Sequence, residues 1–202
     1  PLAASAAMNA GGLEKHSADD LRRLFAGKTA DLSFSVGEDA FVFNGSTNRK
    51  DFATTMELLT AYLVAPGYRE EALRQLHKNL DPIYTQLAHT PMGVFNDKVD
   101  VFLKKSDFRA GFPARSDLVS RTFNEVKQWV GDALRSGFME VAIVGDFKEK
   151  DILEGVARTL GALPARRLEK PAHDKRREMH FADGGQSRTF KFDSETYIRR
   201  VV

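Results

Sequence analysis

Apolar and polar residues alternate over residues 30–46, and this alternation limits what the chain can fold into more than any other feature of its sequence. A turn is expected at Gly37-Glu38-Asp39. The apolar residues on its two sides are Leu32, Phe34, Val36, Phe41 and Phe43. A period of two that is interrupted by turn residues predicts a β-hairpin. One face of that hairpin is apolar, so it needs a helical layer to cover it.

A helix that can supply this cover follows directly. Between about residues 49 and 65 the apolar residues recur at helical spacing, among them Phe52, Met56, Leu59 and Leu63. Pro66 and Gly67 stop the pattern. The sequence therefore predicts a sheet with helices packed on it.

More helices are predicted on both sides of this unit. A short one begins at the N-cap Ser17 and ends at Gly27. The next begins near Arg69, and Pro82 should kink or break it. Periodic apolar residues predict a third helix over 94–103 and a long fourth one over 118–137.

The last third of the chain changes in composition. Residues 139–144 form a short apolar run that predicts a strand, and a helix is expected over 150–161. Residues 165–178 are rich in Arg and Lys, which indicates a solvated linker, and Phe190 and Phe192 fit one more strand. We therefore expect a domain over residues 1–165 and a basic linker with a final strand over 166–202.

Composition excludes some functions. The chain has 202 residues, of which 42% are hydrophobic, enough for one sizeable domain. Its 30 Lys and Arg nearly balance 28 Asp and Glu, so charge gives no general attraction to nucleic acid or anionic lipid. It contains no cysteine, which excludes disulfides and thiolate metal sites. No apolar stretch approaches the roughly 20 residues of a membrane span.

Six segments carry a family resemblance through their order and spacing. They are residues 11–17, 19–28, 31–36, 41–46, 51–66 and 141–147, the last followed by a helix that ends at Leu163-Pro164. Together they resemble the insulinase/pitrilysin family of zinc metallopeptidases over roughly residues 3–165. The resemblance implies an α+β fold, a two-layer sandwich of a mixed/antiparallel sheet with helices packed on one face.

Active members of this family hold zinc with His-x-x-Glu-His on a helix, in which two histidines bind the metal and the glutamate activates a water. The family pattern places this motif on the alanine-rich opening, with the histidines at Ala3 and Ala7 and the glutamate at Ala6. The remaining carboxylate ligand falls on Ile83 or Tyr84. The resemblance therefore implies no catalytic, cofactor-binding or metal-binding residue in this segment.

Family members contain several homologous domains, of which the first carries the motif. The resemblance thus implies that this chain is a catalytically inactive domain, from the inactive half of a larger bacterial zinc protease, and that the zinc lies in the catalytic domain of the parent. A chain that begins at Pro1 without a methionine fits such a piece. Its partners are then the homologous domains of the parent chain and a peptide or unfolded protein substrate, without nucleic acid or a membrane span. Family analogy favours the periplasm over the cytoplasm.

Two other functions stay open. The chain could be a structural or partner-binding homologue in a complex with no peptidase activity, as in the family's core subunits of respiratory complexes. An intact His-x-x-Glu-His upstream in the parent gene would argue against that reading. Alternatively, the segment could itself be a metalloenzyme, which predicts stoichiometric zinc in the purified protein.

Other site signals in the sequence are weak. Gly27-Lys28-Thr29 imitates the end of a phosphate-binding loop, but Arg22 stands where the first glycine is required, and a helix precedes the segment where the motif needs a strand. Ser46 lacks the Gly-x-Ser-x-Gly elbow of serine hydrolases. The histidines have no short helical spacing and are expected at the surface: His16, His77, His89, His173 and His180.

Overall fold

The computed structural model describes residues 1–107, 109–172, 177–185 and 187–192. The first of two units consists of Pro1–Gln75 with Arg121–Ala172, and the second of Leu76–Ser120 with His173–Val202. The strands are β1 (Ala30–Val36) and β2 (Phe41–Thr47). The α-helices are α1 (Leu2–Ala10), α2 (Ala18–Leu24), α3 (Phe52–Val64), α4 (Glu70–His89), α5 (Pro91–Val94), α6 (Asp100–Leu103), α7 (Arg115–Ser120), α8 (Phe123–Ser136) and α9 (Glu149–Arg158).

The predicted hairpin is confirmed. β1 pairs with β2 in antiparallel register, with Phe34 opposite Phe43. Phe34 is the buried residue of β1, and its ring contacts those of Phe41 and Phe43 at centroid distances of 6.0 and 5.1 Å. Aromatic pairs of this kind stabilise a hairpin beyond the area that they bury. The apolar face of the hairpin therefore has its own aromatic cluster.

Helices of the first unit pack against this hairpin, as the sequence predicted. α1 contacts β1 and α8, while α3 contacts both strands, α8 and α9. Tyr62 of α3 lies near Phe43, and Trp129 of α8 meets Phe41 edge to face at 5.1 Å between ring centroids. The α+β expectation is confirmed, with an antiparallel sheet of two strands in the part of the chain that the structure describes.

A buried carboxylate joins the start of the hairpin to the start of α3. Asp51 is 6% exposed, and its Oδ2 accepts hydrogen bonds from the Thr29 backbone N–H and from Asn48 Nδ2, both at 2.9 Å. The Asp51 N–H donates to Asn48 Oδ1 at 2.8 Å. The hydrogen bond from Thr29 holds the pKa of Asp51 below its ordinary value. This network fixes where α3 begins relative to β1.

The short helix α2 begins as predicted. The Ser17 side chain accepts a hydrogen bond from the Asp20 N–H, and the Asp20 carboxylate accepts one from the Ser17 N–H, which together form a capping box. The chain reaches Ser17 through a tight turn at Gly12, whose φ is +65°. A Cβ on Gly12 would lie 2.5 Å from the His16 carbonyl oxygen, so this turn requires glycine.

The regular secondary structure of the second unit is helical in its described residues. α4 runs without interruption past Pro82, so of the predicted kink or break the break does not occur. A five-residue π-helical segment, Phe95–Val99, joins α5 to α6, and together they confirm the predicted third helix. Leu80, Val94 and Leu118 are buried in this unit.

The predicted long fourth helix is confirmed as α8 over Phe123–Ser136, with Gly137 at its end, but its predicted start is wrong, because α7 ends at Ser120 and α8 begins after Thr122. Thr122 and Glu125 form a second capping box, in which the Thr122 N–H donates to Glu125 Oε2 at 2.7 Å. The side chains thus satisfy backbone groups that a continuous helix would have paired internally. Apolar periodicity runs through this interruption and does not reveal it.

The predicted strand over residues 139–144 is also wrong. This segment makes no backbone hydrogen bond to another described segment, and Val144 is 96% exposed. A strand exists only when a neighbour accepts and donates its ladder hydrogen bonds. On the outer edge of β1, the backbone N–H and carbonyl of Phe34 already form their hydrogen bonds with the Asn9 side chain. The mixed sheet that the resemblance implies is therefore not formed by the described residues.

The predicted strand at Phe190 and Phe192 is not present either: both residues are described and lie outside any strand, while 193–202 fall outside the described residues. The Arg188 guanidinium lies over the rings of Phe102 and Phe190, at 5.6 and 5.5 Å from their centroids. The domain boundary at residue 165 stays a prediction.

Arg166, placed by the sequence at the start of a solvated linker, closes the C-terminal end of α8. Its guanidinium donates hydrogen bonds to the carbonyl oxygens of Ala133, Leu134, Arg135 and Gly137, at 2.8 to 3.1 Å. Arg167 adds a backbone hydrogen bond to the Ser136 carbonyl at 3.0 Å. A cation at this end of a helix satisfies unpaired carbonyls and favours the helix dipole.

Candidate functional site

Helix α1 occupies the stretch in which the resemblance places a metal-binding helix. Ala3 and Ala7, at the two histidine positions, are 6% and 0% exposed, and Ala6, at the glutamate position, is half-buried. The helix packs against β1 and α8. These positions hold methyl groups within a packed core, so α1 offers neither a metal ligand nor a base at any of them.

The position predicted for the carboxylate ligand lies in the second unit. Ile83 is half-buried, and the Tyr84 hydroxyl donates to the Pro113 carbonyl oxygen at 2.5 Å while its ring meets Phe112 edge to face. Burial raises the pKa of Tyr84, so its hydroxyl is protonated at neutral pH. Asp81 is exposed and pairs with Arg115 at 2.7 Å. Tyr84 and Asp81 are therefore engaged in structural contacts, and the Ile83 side chain has no atom that could bind a metal.

Histidines do not form a metal site in the described ranges, which hold no cluster of three or more His, Cys, Asp or Glu residues able to bind a metal. His16, His89 and His180 are exposed as predicted. His77 corrects that prediction, because it is half-buried and its Nε2 is buried without a hydrogen-bond partner among the described residues. His173 lies outside the described residues. None of the described helices is both long and apolar enough to span a membrane.

A cleft in the first unit was not predicted from the sequence. Its volume is about 410 Å³, and it lies between the segment that follows α3 and one face of α8. Leu63, Phe123 and Leu134 contribute apolar walls, and Lys127 and Arg135 contribute two cations. We refer to this feature as the α8 cleft.

Tyr68, which lines the α8 cleft, has two unusual properties. Its φ is +46°, in the left-handed region that a bulky residue rarely adopts. Its hydroxyl is buried and has no hydrogen-bond partner within the described part of the chain. Burial raises the pKa of Tyr68, and the charge of Arg135 partly opposes that rise. Strained backbone often clusters at functional sites.

Sequence reasoning missed the α8 cleft because its residues are distant in the chain. Tyr68 and Lys127 are brought together only by the packing of α3 against α8. One local signal was available: Lys127, Gly131 and Arg135 follow each other at intervals of four, which places them on one face of a helix. Without a structure, that pattern is indistinguishable from a solvated helix face.

No protein-family model and no curated protein matches the sequence. Solved proteases nevertheless share the fold. A mutant of the ferredoxin protease FusC in complex with Arabidopsis ferredoxin matches with a TM-score of 0.64 and 17% identity, over 85% of this chain and 19% of FusC. The periplasmic protease PqqL from Escherichia coli matches with a TM-score of 0.59 and 12% identity, over 84% of this chain and 20% of PqqL.

A protease from Helicobacter pylori matches with a TM-score of 0.57 and 12% identity, over 84% of this chain and 42% of that protein. The chain spans about a fifth of the length of FusC and PqqL. At these identities the likeness concerns the fold alone. The chain thus has the fold of one part of these pitrilysin-type proteases.

Proposed function

We propose that this chain is a catalytically inactive peptidase-like domain of a larger zinc metalloprotease, where it forms part of the substrate chamber or supports the catalytic half. The observation that supports the proposal is the burial of Ala3 and Ala7 in α1, because these are the positions at which the family resemblance would place the two zinc-binding histidines. The likeness to parts of longer proteases supports the same reading.

Physical chemistry explains why this domain should not hydrolyse peptides by itself. Zinc-dependent hydrolysis needs a metal to polarise the carbonyl and lower the pKa of the attacking water, and a base to take its proton. Alanine supplies none of these groups, whereas its small size lets α1 approach β1 and α8 closely. A fold can keep its architecture after its catalytic groups are lost, because function resides in the site and not in the scaffold.

The longer polypeptide would supply the partners. We propose that this domain contacts homologous domains of the same parent chain and, with them, a peptide or unfolded protein substrate. PqqL is described as periplasmic, and this likeness supports the periplasm as the compartment of the parent. Cell fractionation with detection of the parent protein tests the compartment directly.

Metal analysis of the purified 202-residue chain tests the proposal. After incubation with zinc and gel filtration, we expect far less than one zinc per chain by elemental analysis, no rise in Tm on adding zinc, and no cleavage of a quenched fluorescent peptide library. The parent polypeptide, treated in the same way, is the positive control and should retain about one zinc. A stoichiometric zinc in the isolated chain would contradict the proposal, since binding at fixed stoichiometry requires a defined ligand set.

The sequence of the parent gene distinguishes this function from the structural alternative. An intact His-x-x-Glu-His in another domain of the same polypeptide supports a protease. A parent that lacks the motif everywhere and that retains no zinc supports a structural or partner-binding homologue instead.

A further inference from the structure

The edge of β2 that faces away from β1 has unpaired backbone groups. The N–H and carbonyl of Phe34 bind the Asn9 side chain, so Phe34 and Phe43, which stand opposite each other, share no ladder hydrogen bond. The N–H and carbonyl of Phe43 therefore point to the outer edge of β2, and the alternation of an antiparallel ladder places those of Phe41 and Gly45 there as well. These groups have no hydrogen-bond partner among the described residues. We call this feature the β2 edge.

The β2 edge lacks the devices that keep a strand from pairing with other molecules. Proteins protect open edges with lysine, proline or a β-bulge. Residues 41–47 contain no charged residue and no proline, and all of them pair with β1 in unbroken register. Beside Phe41, the Trp129 side chain is 51% exposed and extends the apolar surface at one end of the edge. The structure thus presents an uncharged and partly aromatic template for another strand.

The sequence of β2 fits a second copy of itself. When two copies pair antiparallel about a two-fold axis at Phe43, Phe43 lies opposite Phe43, and Phe41 lies opposite Gly45 of the other copy. In this register the outward backbone groups of each strand meet those of the other, so they donate and accept ladder hydrogen bonds. The two Phe43 rings form a cross-strand aromatic pair, and Gly45 has no side chain to obstruct the Phe41 ring that faces it.

Charges at the two ends of β2 favour the same arrangement. The strand is preceded by two exposed acids and followed by two exposed bases: Glu38, Asp39, Arg49 and Lys50. Antiparallel pairing places the start of one β2 beside the end of the other, so acids meet bases at both ends of the interface. Parallel pairing would bring like charges together. Arg49 also pairs with Asp146 at 2.7 Å, so Lys50 is the base that the acidic turn of the second copy would meet.

We propose that this chain forms a two-fold symmetric dimer through the β2 edge, in which the two β1–β2 hairpins join into one continuous antiparallel sheet. Phe43 lies at the centre of the interface, with Phe41 and Gly45 on either side of it. A closed dimer occupies the β2 edge of both copies, so association ends at two chains. The dimer needs neither α1 nor a parent polypeptide, and it does not depend on the proposed function.

Sedimentation equilibrium of the purified chain tests whether the dimer forms. Every sample carries Val144→Lys, which puts a charge into the exposed segment 139–144 and prevents association through it. Between about 1 and 300 μM chain, where a contact of one strand edge is expected to associate, the average mass should rise from one chain to two and then stay constant. A single chain at every concentration, or growth beyond two chains, overturns the inference.

Two double variants test the register. Val42 and Asn44 alternate with the residues of the β2 edge, and in the proposed dimer Val42 of one copy lies opposite Asn44 of the other. Val42→Lys/Asn44→Lys sets like charges against each other, and we expect at least about tenfold weaker dimerisation. Val42→Lys/Asn44→Glu is the matched control, because it sets lysine against glutamate at the same positions and should restore the dimer. Equal dimerisation of the two variants overturns the inference.

Hydrogen exchange gives a second measurement that needs no change in β2. We expect the amides of Phe43 and Gly45 to exchange at least about tenfold more slowly when the dimer predominates than in dilute samples. Exchange that is equal at both concentrations overturns the inference. If the chain stays monomeric and these amides are protected only in the parent polypeptide, another segment of the parent covers the edge, which also overturns it. Stoichiometric zinc in the chain would overturn the proposed function and leave the dimer unaffected.

Discussion

The Asn9 side chain forms two hydrogen bonds with the backbone of Phe34. Asn9 Oδ1 accepts from the Phe34 N–H at 2.7 Å, and Asn9 Nδ2 donates to the Phe34 carbonyl at 2.9 Å. Both groups of Phe34 therefore point away from β2, and the amide takes the role of a neighbouring strand at that position. The last turn of α1 is thereby fixed to β1 at Phe34.

Replacing Asn9 should destabilise the first unit. In Asn9→Ala the N–H and carbonyl of Phe34 lose both partners, and we expect the free energy of unfolding to fall by about 1–3 kcal/mol. Chemical denaturation of the two proteins measures the difference. Asn44→Ala is the control, because Asn44 lies exposed on β2 and its side chain has no hydrogen bond among the described residues. A loss no larger than in the control would show that the amide pairing contributes nothing.

Arg166 should contribute to stability although it lies in the basic segment. Arg166→Ala leaves the last carbonyls of α8 without their donor, and we expect a loss of about 2 kcal/mol in the free energy of unfolding. Arg166→Lys should recover only part of it, since an ammonium cannot reproduce the planar fork. The control is Arg167→Ala, which removes an exposed ion pair with Asp132 and should cost under about 1 kcal/mol. Equal losses in Arg166→Ala and Arg167→Ala would contradict this assignment.

Asp51 should make stability depend on pH. Its pKa is lowered in the folded protein, mainly by the hydrogen bond from the Thr29 N–H, so its ionised form stabilises the fold above the unfolded pKa. That contribution is lost as the pH falls through the folded pKa. We expect Asp51→Asn to lower Tm at pH 7 and the difference from wild type to shrink below about pH 4, the ordinary pKa of aspartate.

Thermal unfolding across pH 3–7 measures this effect. Glu57→Gln is the control, because it removes an exposed carboxylate from the same helix, α3, and should leave the pH profile unchanged. A constant difference between wild type and Asp51→Asn over the whole range would show that the charge of Asp51 is not involved.

Substitutions at Gly12 and Gly27 distinguish the stability cost of backbone strain from that of steric overlap. Both have positive φ, +65° and +77°, but a Cβ on Gly12 meets backbone atoms at 2.5 Å whereas a Cβ on Gly27 has nothing within 4 Å. We expect Gly27→Ala to cost about 1 kcal/mol, the usual strain of alanine in the left-handed region. Gly12→Ala should cost at least about 3 kcal/mol, since the backbone itself must move. Similar losses in urea denaturation would contradict the overlap at Gly12.

The elements that the sequence predicted correctly are those whose evidence is local. The alternation around Phe34 and Phe43 belongs to one hairpin, and the capping residues of α2 lie within four positions of each other. The Thr122-x-x-Glu125 capping box is equally local, but the apolar periodicity continues on both sides of it and by itself predicts one continuous helix.

Features that depend on distant partners could not be predicted. An apolar run such as 139–144 has the composition of a strand, yet whether it becomes one depends on a free neighbouring edge. The Arg166 hydrogen bonds join positions about 30 residues apart, and a run of basic residues gives no sign of them. The α8 cleft depends on the packing of α3 against α8 in the same way. In contrast, the absence of ligands at Ala3, Ala6 and Ala7 needs no structure to be seen.

The segment 139–144 has a consequence for the handling of the purified protein. Its backbone groups are unpaired within the described residues, and Val141 and Val144 are 44% and 96% exposed. Exposed apolar stretches of this kind act as templates for intermolecular β-pairing. Concentrated samples of the chain should therefore form oligomers whose amount rises with concentration, and a charged residue in place of Val144 is the simplest way to keep the protein monodisperse.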